Sequence, residues 1–246
     1  MPSTTQKDID KFLQSNGLIM GYIETHTLSV DLYNSMQVAA PNLSLEHALI
    51  VFANAGPQFW QKLKLATATD PELAHCDHPV DRFSEQVADD FACNYIDGIP
   101  HRLFPGGNPI ALIGLGTHLG WSHPSPLGLT LHNQFGPWYA FRAVIACRIN
   151  QISTPMKRFG PTEMQVSPCR SCSTKPCVSR CPAGAVSESR NFDVNACLNH
   201  RLIDGSECLA DCPARRACPI GSDHVYDPKQ LEYHMLRVLG RRSDIG

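Results

Sequence analysis

The sequence predicts an α+β protein in two parts, a front of mixed strands and helices and a loop-rich, cysteine-dense tail. Three observations predict it. Strand-like apolar runs alternate with amphipathic helical stretches through roughly the first 150 residues. No repeat of 20–50 residues and no low-complexity segment breaks that pattern. Eight of the eleven cysteines fall between positions 169 and 218. The expected domain limits are 1–160 and 161–246.

The elements follow in order. Residues 5–15 read as a short helix. "GLIMGYIET" (17–25) and "LEHALIVFANAG" (45–56) contain strand-like apolar runs. "PQFWQKLKLA" (57–66) opens with a proline suited to a helix start. "HPVDRFSEQVADDFACNYI" (78–96) is the clearest helix, with Val80, Phe83, Val87, Phe91 and Tyr95 recurring every three or four residues. "GGNPIALIGLGTHLGW" (106–121) reads as a further helix capped by Asn108, with Pro109 at its first position. "LGLTLHN" (127–133) and "WYAFRAVIACRI" (138–149) are rich in branched and aromatic residues and read as strands. Residues 150–168 form a polar connection, and "DPKQLEYHMLRVLG" (227–240) is a terminal amphipathic helix ending at Gly240.

At 246 residues and 43% apolar content, the chain can bury a sizeable core. The formal net charge is -2, from 21 basic and 23 acidic residues, so there is no bulk attraction to nucleic acid or anionic membrane. No apolar run reaches the length of a membrane span, and "MPSTTQKDIDKFLQ" has no signal core. A cytoplasmic location is expected, with neither nucleic acid nor membrane as partner.

In a reducing compartment, dense cysteines read as metal ligands rather than disulfides. Cys76, Cys93 and Cys147 lie apart and read as small core residues. The first run, "CRSCSTKPCVSRCP" (169–182), is C-x2-C-x4-C-x3-C-P. The second half supplies Cys197, Cys208, Cys212 and Cys218-Pro219. In two-cluster ferredoxins the fourth cysteine of a run ligates the other cluster and a proline follows it. Crossing the halves here gives two sets of four, with none left over. Cys169, Cys172 and Cys177 join Cys218; Cys181 joins Cys197, Cys208 and Cys212. Two [4Fe–4S] clusters are the reading. Two zinc sites are the alternative, but structural zinc favours paired C-x2-C hooks, and only one hook occurs.

Clusters carry electrons, so the front should hold what receives them. "GLGTHLG" (114–120) is one residue too long for a dinucleotide fingerprint and has no acidic residue at the expected distance, so its glycines read as helix packing. "HCDH" (75–78) stands just before a helix and reads as a cap or solvated turn. Trp60 reads as core. Residues 120–146 are different: glycines beside aromatics there would let backbone approach a flat ligand, or form an ordinary hairpin.

"GLGTHLGWSHPSPLGLTLHNQFGPWYAFRAVIA" (114–146) resembles the corrinoid-binding core shared by epoxyqueuosine reductases, reductive dehalogenases and the human cobalamin-processing protein known as cblC. "VFANAGPQFW" (51–60) and "DHPVDRFSEQVA" (77–88) are also similar to cblC, while the tail resembles the two-cluster module of epoxyqueuosine reductase. The resemblance implies a nitroreductase-like α/β sandwich that binds cobalamin base-off, followed by a small ferredoxin-like 2×[4Fe–4S] module. It implies corrinoid contacts from Leu127, Gly128, Leu129, Thr130, His132, Phe135, Gly136 and Trp138. The acid of epoxyqueuosine reductase has no counterpart in "HRLFPGGNP" (101–109), so tRNA epoxide reduction is not carried over.

The expected function is a corrinoid-binding reductase that passes electrons through two clusters to cobalamin, for upper-ligand removal or small-substrate reduction. An electron carrier without catalysis, a cobalamin chaperone and a flavin-dependent nitroreductase are the alternatives. No nicotinamide motif occurs, so a ferredoxin, flavodoxin or flavin reductase is the expected donor. No catalytic residue is assigned; His101, His118 and His123 are candidate proton donors.

Overall fold

The structure is a computed structural model that describes residues 5–106, 108–152, 154, 156, 166–240 and 245. The expected boundary at 160/161, and part of the connection 150–168, lie outside the described residues. Contacts divide the chain into two units, Met1–Gly120 with Ala140–Met164, and Trp121–Tyr139 with Gln165–Gly246. Residues 121–139, placed by the sequence within the front, cluster with the cysteine-bearing tail.

The first unit opens with α1 (Gln6–Asn16). Thr5 N–H donates to the Asp8 carboxylate at 2.8 Å, satisfying a group that the helix start leaves open. Gly17 ends the helix in the left-handed region at φ 66°. Then come β1 (Leu18–Glu24), α2 (Val30–Ala39), β2 (His47–Ala55), α3 (Gln58–Thr69), α4 (Pro71–His75), α5 (Pro79–Tyr95), β3 (His101–Phe104) and α6 (Leu112–His118). The second unit contributes the two-residue strands β4 (His123–Pro124) and β5 (Thr130–Leu131). The chain then returns through β6 (Tyr139–Arg148).

The four-stranded sheet runs β1-β2-β6-β3, with β1–β2 and β3–β6 antiparallel. The register sets Leu18 opposite Asn54 and Glu24 opposite Ala48. Residues 48–54 of β2 are all buried, which explains its unbroken apolar run. The apolar stripe of α5 supplies the facing layer. Phe91 meets Phe52 edge-on at 5.0 Å and Tyr95 at 4.7 Å, and Phe83 lies 5.3 Å from Phe59. Phe12 of α1 closes on Phe91 at 5.6 Å. Trp60 is buried in this unit, as its sequence context suggests. A Cβ on Gly114 would sit 2.7 Å from the Leu32 side chain, so that glycine does serve helix packing.

Three expectations are corrected here. The helix expected over 106–121 is only α6, because Asn108 does not cap it; its amide donates to Ala39 O at 3.2 Å. The strand expected over 127–133 shrinks to β5. Of the three outlying cysteines, Cys147 is buried, Cys76 half-buried and Cys93 exposed on α5, so Cys93 is no core residue. In "HCDH", His78 precedes Pro79 at the start of α5 without a side-chain cap bond, and His75 bonds Pro71 O within α4.

The second unit is built from turns and short helices. α7 (Pro168–Ser171), α8 (Pro176–Ser179), α9 (Val194–Arg201), α10 (Pro213–Arg216) and α11 (Pro228–Val238) follow in order. All but α9 begin on proline, whose fixed φ suits a first helical turn. Among the described residues, no helix is long and apolar enough to cross a membrane.

Candidate metal centres

Each cysteine of the tail is carried by a turn or a short helix. Cys169 lies in α7 and Cys172 follows it; Cys177 lies in α8, and Cys181 follows. Cys197 sits in α9, Cys208 in a single 3-10 turn, Cys212 immediately before α10 and Cys218 just after it. All eleven cysteines of the chain are free thiols.

Two cavities gather eight of them. Cys169, Cys172, Cys177 and Cys218 line one, walled by Leu127, Leu131 and Ile220. Cys181, Cys197, Cys208 and Cys212 line another, walled by Val186, Phe192 and Ala214. The thiols report the same grouping electrostatically. Burial raises the Cys177 thiol first, and Cys169 and Cys172 add to it. Burial raises Cys218, an amide of Ile220 opposes it, and Cys169, Cys177 and Cys172 push it further. Burial pushes Cys208 up to about 11, with Cys212, Glu207, Cys181 and Cys197 contributing. In each case the perturbing thiols belong to the same four.

Zinc holds sulfur at about 2.3 Å, which draws four thiolates tightly around one point. Among the described residues, no group of three or more His, Cys, Asp or Glu side chains is placed to hold a metal ion. The four thiols surround a cavity instead. A cluster places iron and sulfide between its ligands and so spreads them wider than one ion does. The donor set of each cavity, four sulfurs in an apolar wall, suits such a group. Its ligands must be thiolates, so binding releases the protons that burial otherwise holds on them.

The segment 127–138 packs beside these cavities within the same unit. Leu127 is buried against Cys177 and Cys218. A Cβ on Gly128 would meet the Phe192 ring at 2.7 Å. Gly136 has φ 55°, and a Cβ there would lie 1.9 Å from Ile220 O. The close approach at both glycines is therefore to protein. Trp138 is fully buried against Tyr226, with ring centroids 5.5 Å apart. Thr130 Oγ1 lies 2.7 Å from the Tyr139 hydroxyl, which also meets Ser122 Oγ at 2.8 Å. Leu129 is 44% exposed.

His132 is half-buried among Trp121, Phe135 and Tyr139. Its Nδ1 accepts the amides of Gln134 at 3.1 Å and Phe135 at 3.4 Å, which places the ring proton on Nε2. Burial lowers its pKa to about 4, with His123 and His224 adding to the shift, so the ring is neutral at pH 7. Among the candidate proton donors, His101 is exposed on β3, His118 meets Thr27 Oγ1 at 3.2 Å and His123 is buried on β4.

The solved structure of a C. elegans B12-trafficking protein, CblC, described as a homologue of human MMACHC, matches this chain with a TM-score of 0.52. The match covers 95% of this chain and 91% of that one, at 12% identity. This chain shares that protein's fold. No family model and no curated protein matches it.

Sequence reasoning missed two residues at the second cavity, Arg201 and Arg215, which both line it. The "ARRAC" string offered a cationic signal beside a cysteine, but only burial separates Arg215 from its exposed neighbour Arg216.

Proposed function

We propose that the chain binds a corrinoid for cobalamin processing or trafficking, and that its eight tail cysteines hold two [4Fe–4S] clusters. The observation that carries the corrinoid reading is a fold shared over nearly the whole chain with a B12-trafficking protein. The cluster reading is supported by the cysteine spacing and by two apolar cavities lined by four thiols each. The free thiols agree with a reducing, cytoplasmic setting.

Within 127–138, Gly128, Leu129, Thr130, His132 and Phe135 keep exposed or half-buried surface and are the residues offered to the corrinoid. Leu127, Gly136 and Trp138 are buried and fix the shape of the segment. His132 can donate one hydrogen bond through Nε2, to a corrin amide or a nucleotide phosphate, while two backbone amides occupy Nδ1. That tautomer suits a hydrogen-bond donor. When bound, the clusters would supply single electrons and the corrin cobalt the reductive chemistry. The donor would be an external ferredoxin, flavodoxin or flavin reductase.

Anaerobic titration of cluster-loaded protein with cob(II)alamin, followed by EPR, tests the proposal. The expected result is a change from the base-on to the base-off spectrum. An unchanged spectrum with both clusters intact removes the corrinoid. A trafficking role without catalysis is the second reading, favoured by what the structural neighbour does. Reduced, loaded protein that leaves the upper ligand of methylcobalamin in place supports it, and loss of that ligand supports the reductase.

A further inference from the structure

The cavity of Cys181, Cys197, Cys208 and Cys212 is flanked by two guanidinium groups held inside the protein. Arg201 is only 4% exposed. Its Nε donates to Cys208 O at 3.2 Å, and its terminal nitrogen donates to Met235 O. Arg215 lies over two adjoining rings, 4.6 Å from the centroid of Trp138 and 4.8 Å from that of Tyr226. It donates to Pro137 O, and its Nε is buried with no hydrogen-bond partner among the described residues. No salt bridge to a carboxylate is recorded for either guanidinium among the described residues. The one carboxylate lining the cavity, Asp211, is paired with Arg216 at 2.5 Å.

The cavity of Cys169, Cys172, Cys177 and Cys218 differs. Its lining cation is Lys175, which pairs with Glu188 at 3.3 Å. Lys175, its charge offset by Glu188, faces Cys169, and neutral donors from Ser167, Val178 and Ile220 act beside it.

We infer that Arg201 and Arg215 are potential-setting residues that raise the reduction potential of the second cluster and make it the electron-accepting end of the pair. The inference rests on the cluster reading above. Reduction adds one negative charge to a cluster, and buried cations unscreened by solvent stabilise that added charge. The neutral donors of the first site act in the same sense, but a dipole's field falls off faster than that of a full charge. An external low-potential donor would then reduce the first cluster. One electron would pass on, oxidising the first cluster and reducing the second, with no bond made or broken.

The test is an EPR-monitored redox titration of the anaerobically loaded full chain, with iron and acid-labile sulfide measured on the same samples. Wild-type protein is expected to show two separated potentials. A Cys169→Ala variant, which removes the first site, is expected to retain the higher one. Arg215→Gln should lower that potential by at least a tenfold change in its reduction equilibrium, 59 mV for one electron, and leave the lower one in place. Arg215→Lys, which keeps the charge, should restore most of the shift. Arg201→Gln carries the same expectation independently, should Arg215→Gln fail to fold. Potentials unmoved in both Gln variants, at full iron and sulfide content, overturn the inference while the cluster reading stands. Absence of iron and sulfide from correctly folded wild-type protein overturns both.

Discussion

Gly136 shows how tightly single residues constrain the tail. At φ 55°, with Ile220 O 1.9 Å from where a Cβ would stand, it faces both backbone strain and a clash with main chain that cannot swing aside. Gly184 has a similar φ of 61° and nothing within 4 Å. Gly184→Ala is expected to cost about 1–2 kcal/mol, and Gly136→Ala more than about 3 kcal/mol; thermal unfolding of the two variants side by side measures the difference. His132 gives a pH dependence. Its pKa of about 4 lies below the unfolded value near 6.5. Folding therefore favours the neutral ring, so its contribution is fully present above pH 6.5 and is lost as pH falls towards 4. The loss reaches at most about 3 kcal/mol, at 1.36 kcal/mol per pKa unit. Urea unfolding at pH 7 and pH 5 should show a smaller pH effect in His132→Gln than in wild type. The same slope in both would mean that His132 does not carry the effect.

At the scale of elements, the first unit depends on the α5 stripe. Phe91 is fully buried between Phe52, Phe12 and Tyr95. Phe91→Ala is expected to cost about 3–5 kcal/mol in chemical unfolding. This helix was legible in the sequence because one face is buried along its whole length. α2 was not: Val30 and Val38 are 74% and 83% exposed and only Met36 is buried, so its apolar residues trace no stripe. β3 was missed because "HRLF" is short and charged and has one buried residue. The helix at 106–121 was drawn too long because Asn108 looks like a cap in sequence, while its amide is used by Ala39. The two crossed sets of four cysteines come from their spacing read through the two-cluster ferredoxin pattern. The arginines beside them could not be read in the sequence, because a buried and an exposed arginine are the same letter. In the tail, α7, α8 and α10 have four residues each, too short to persist unaided. Chelation of iron is expected to open 166–240 to protease while the first unit stays resistant, as limited proteolysis with mass spectrometry would show.

For the whole molecule, a fold shared with a B12-trafficking protein over 95% of the chain carries two thiol-lined cavities in its tail. The residues that resemble a corrinoid motif divide their work. Leu127, Gly136 and Trp138 shape and pack the tail unit, and Gly128, Leu129, Thr130, His132 and Phe135 keep exposed or half-buried surface.

The crossed thiol sets underlie the whole account, and counting iron and sulfide in paired variants tests them most directly. Anaerobically loaded wild-type chain should hold about eight of each, at four cysteines per [4Fe–4S] cluster. Cys169→Ala with Cys218→Ala disables one set and should leave about four iron. Cys169→Ala with Cys181→Ala lies within one sequence run but touches both sets, and should leave none. The reverse pattern, or zinc in place of iron and sulfide, would contradict the account.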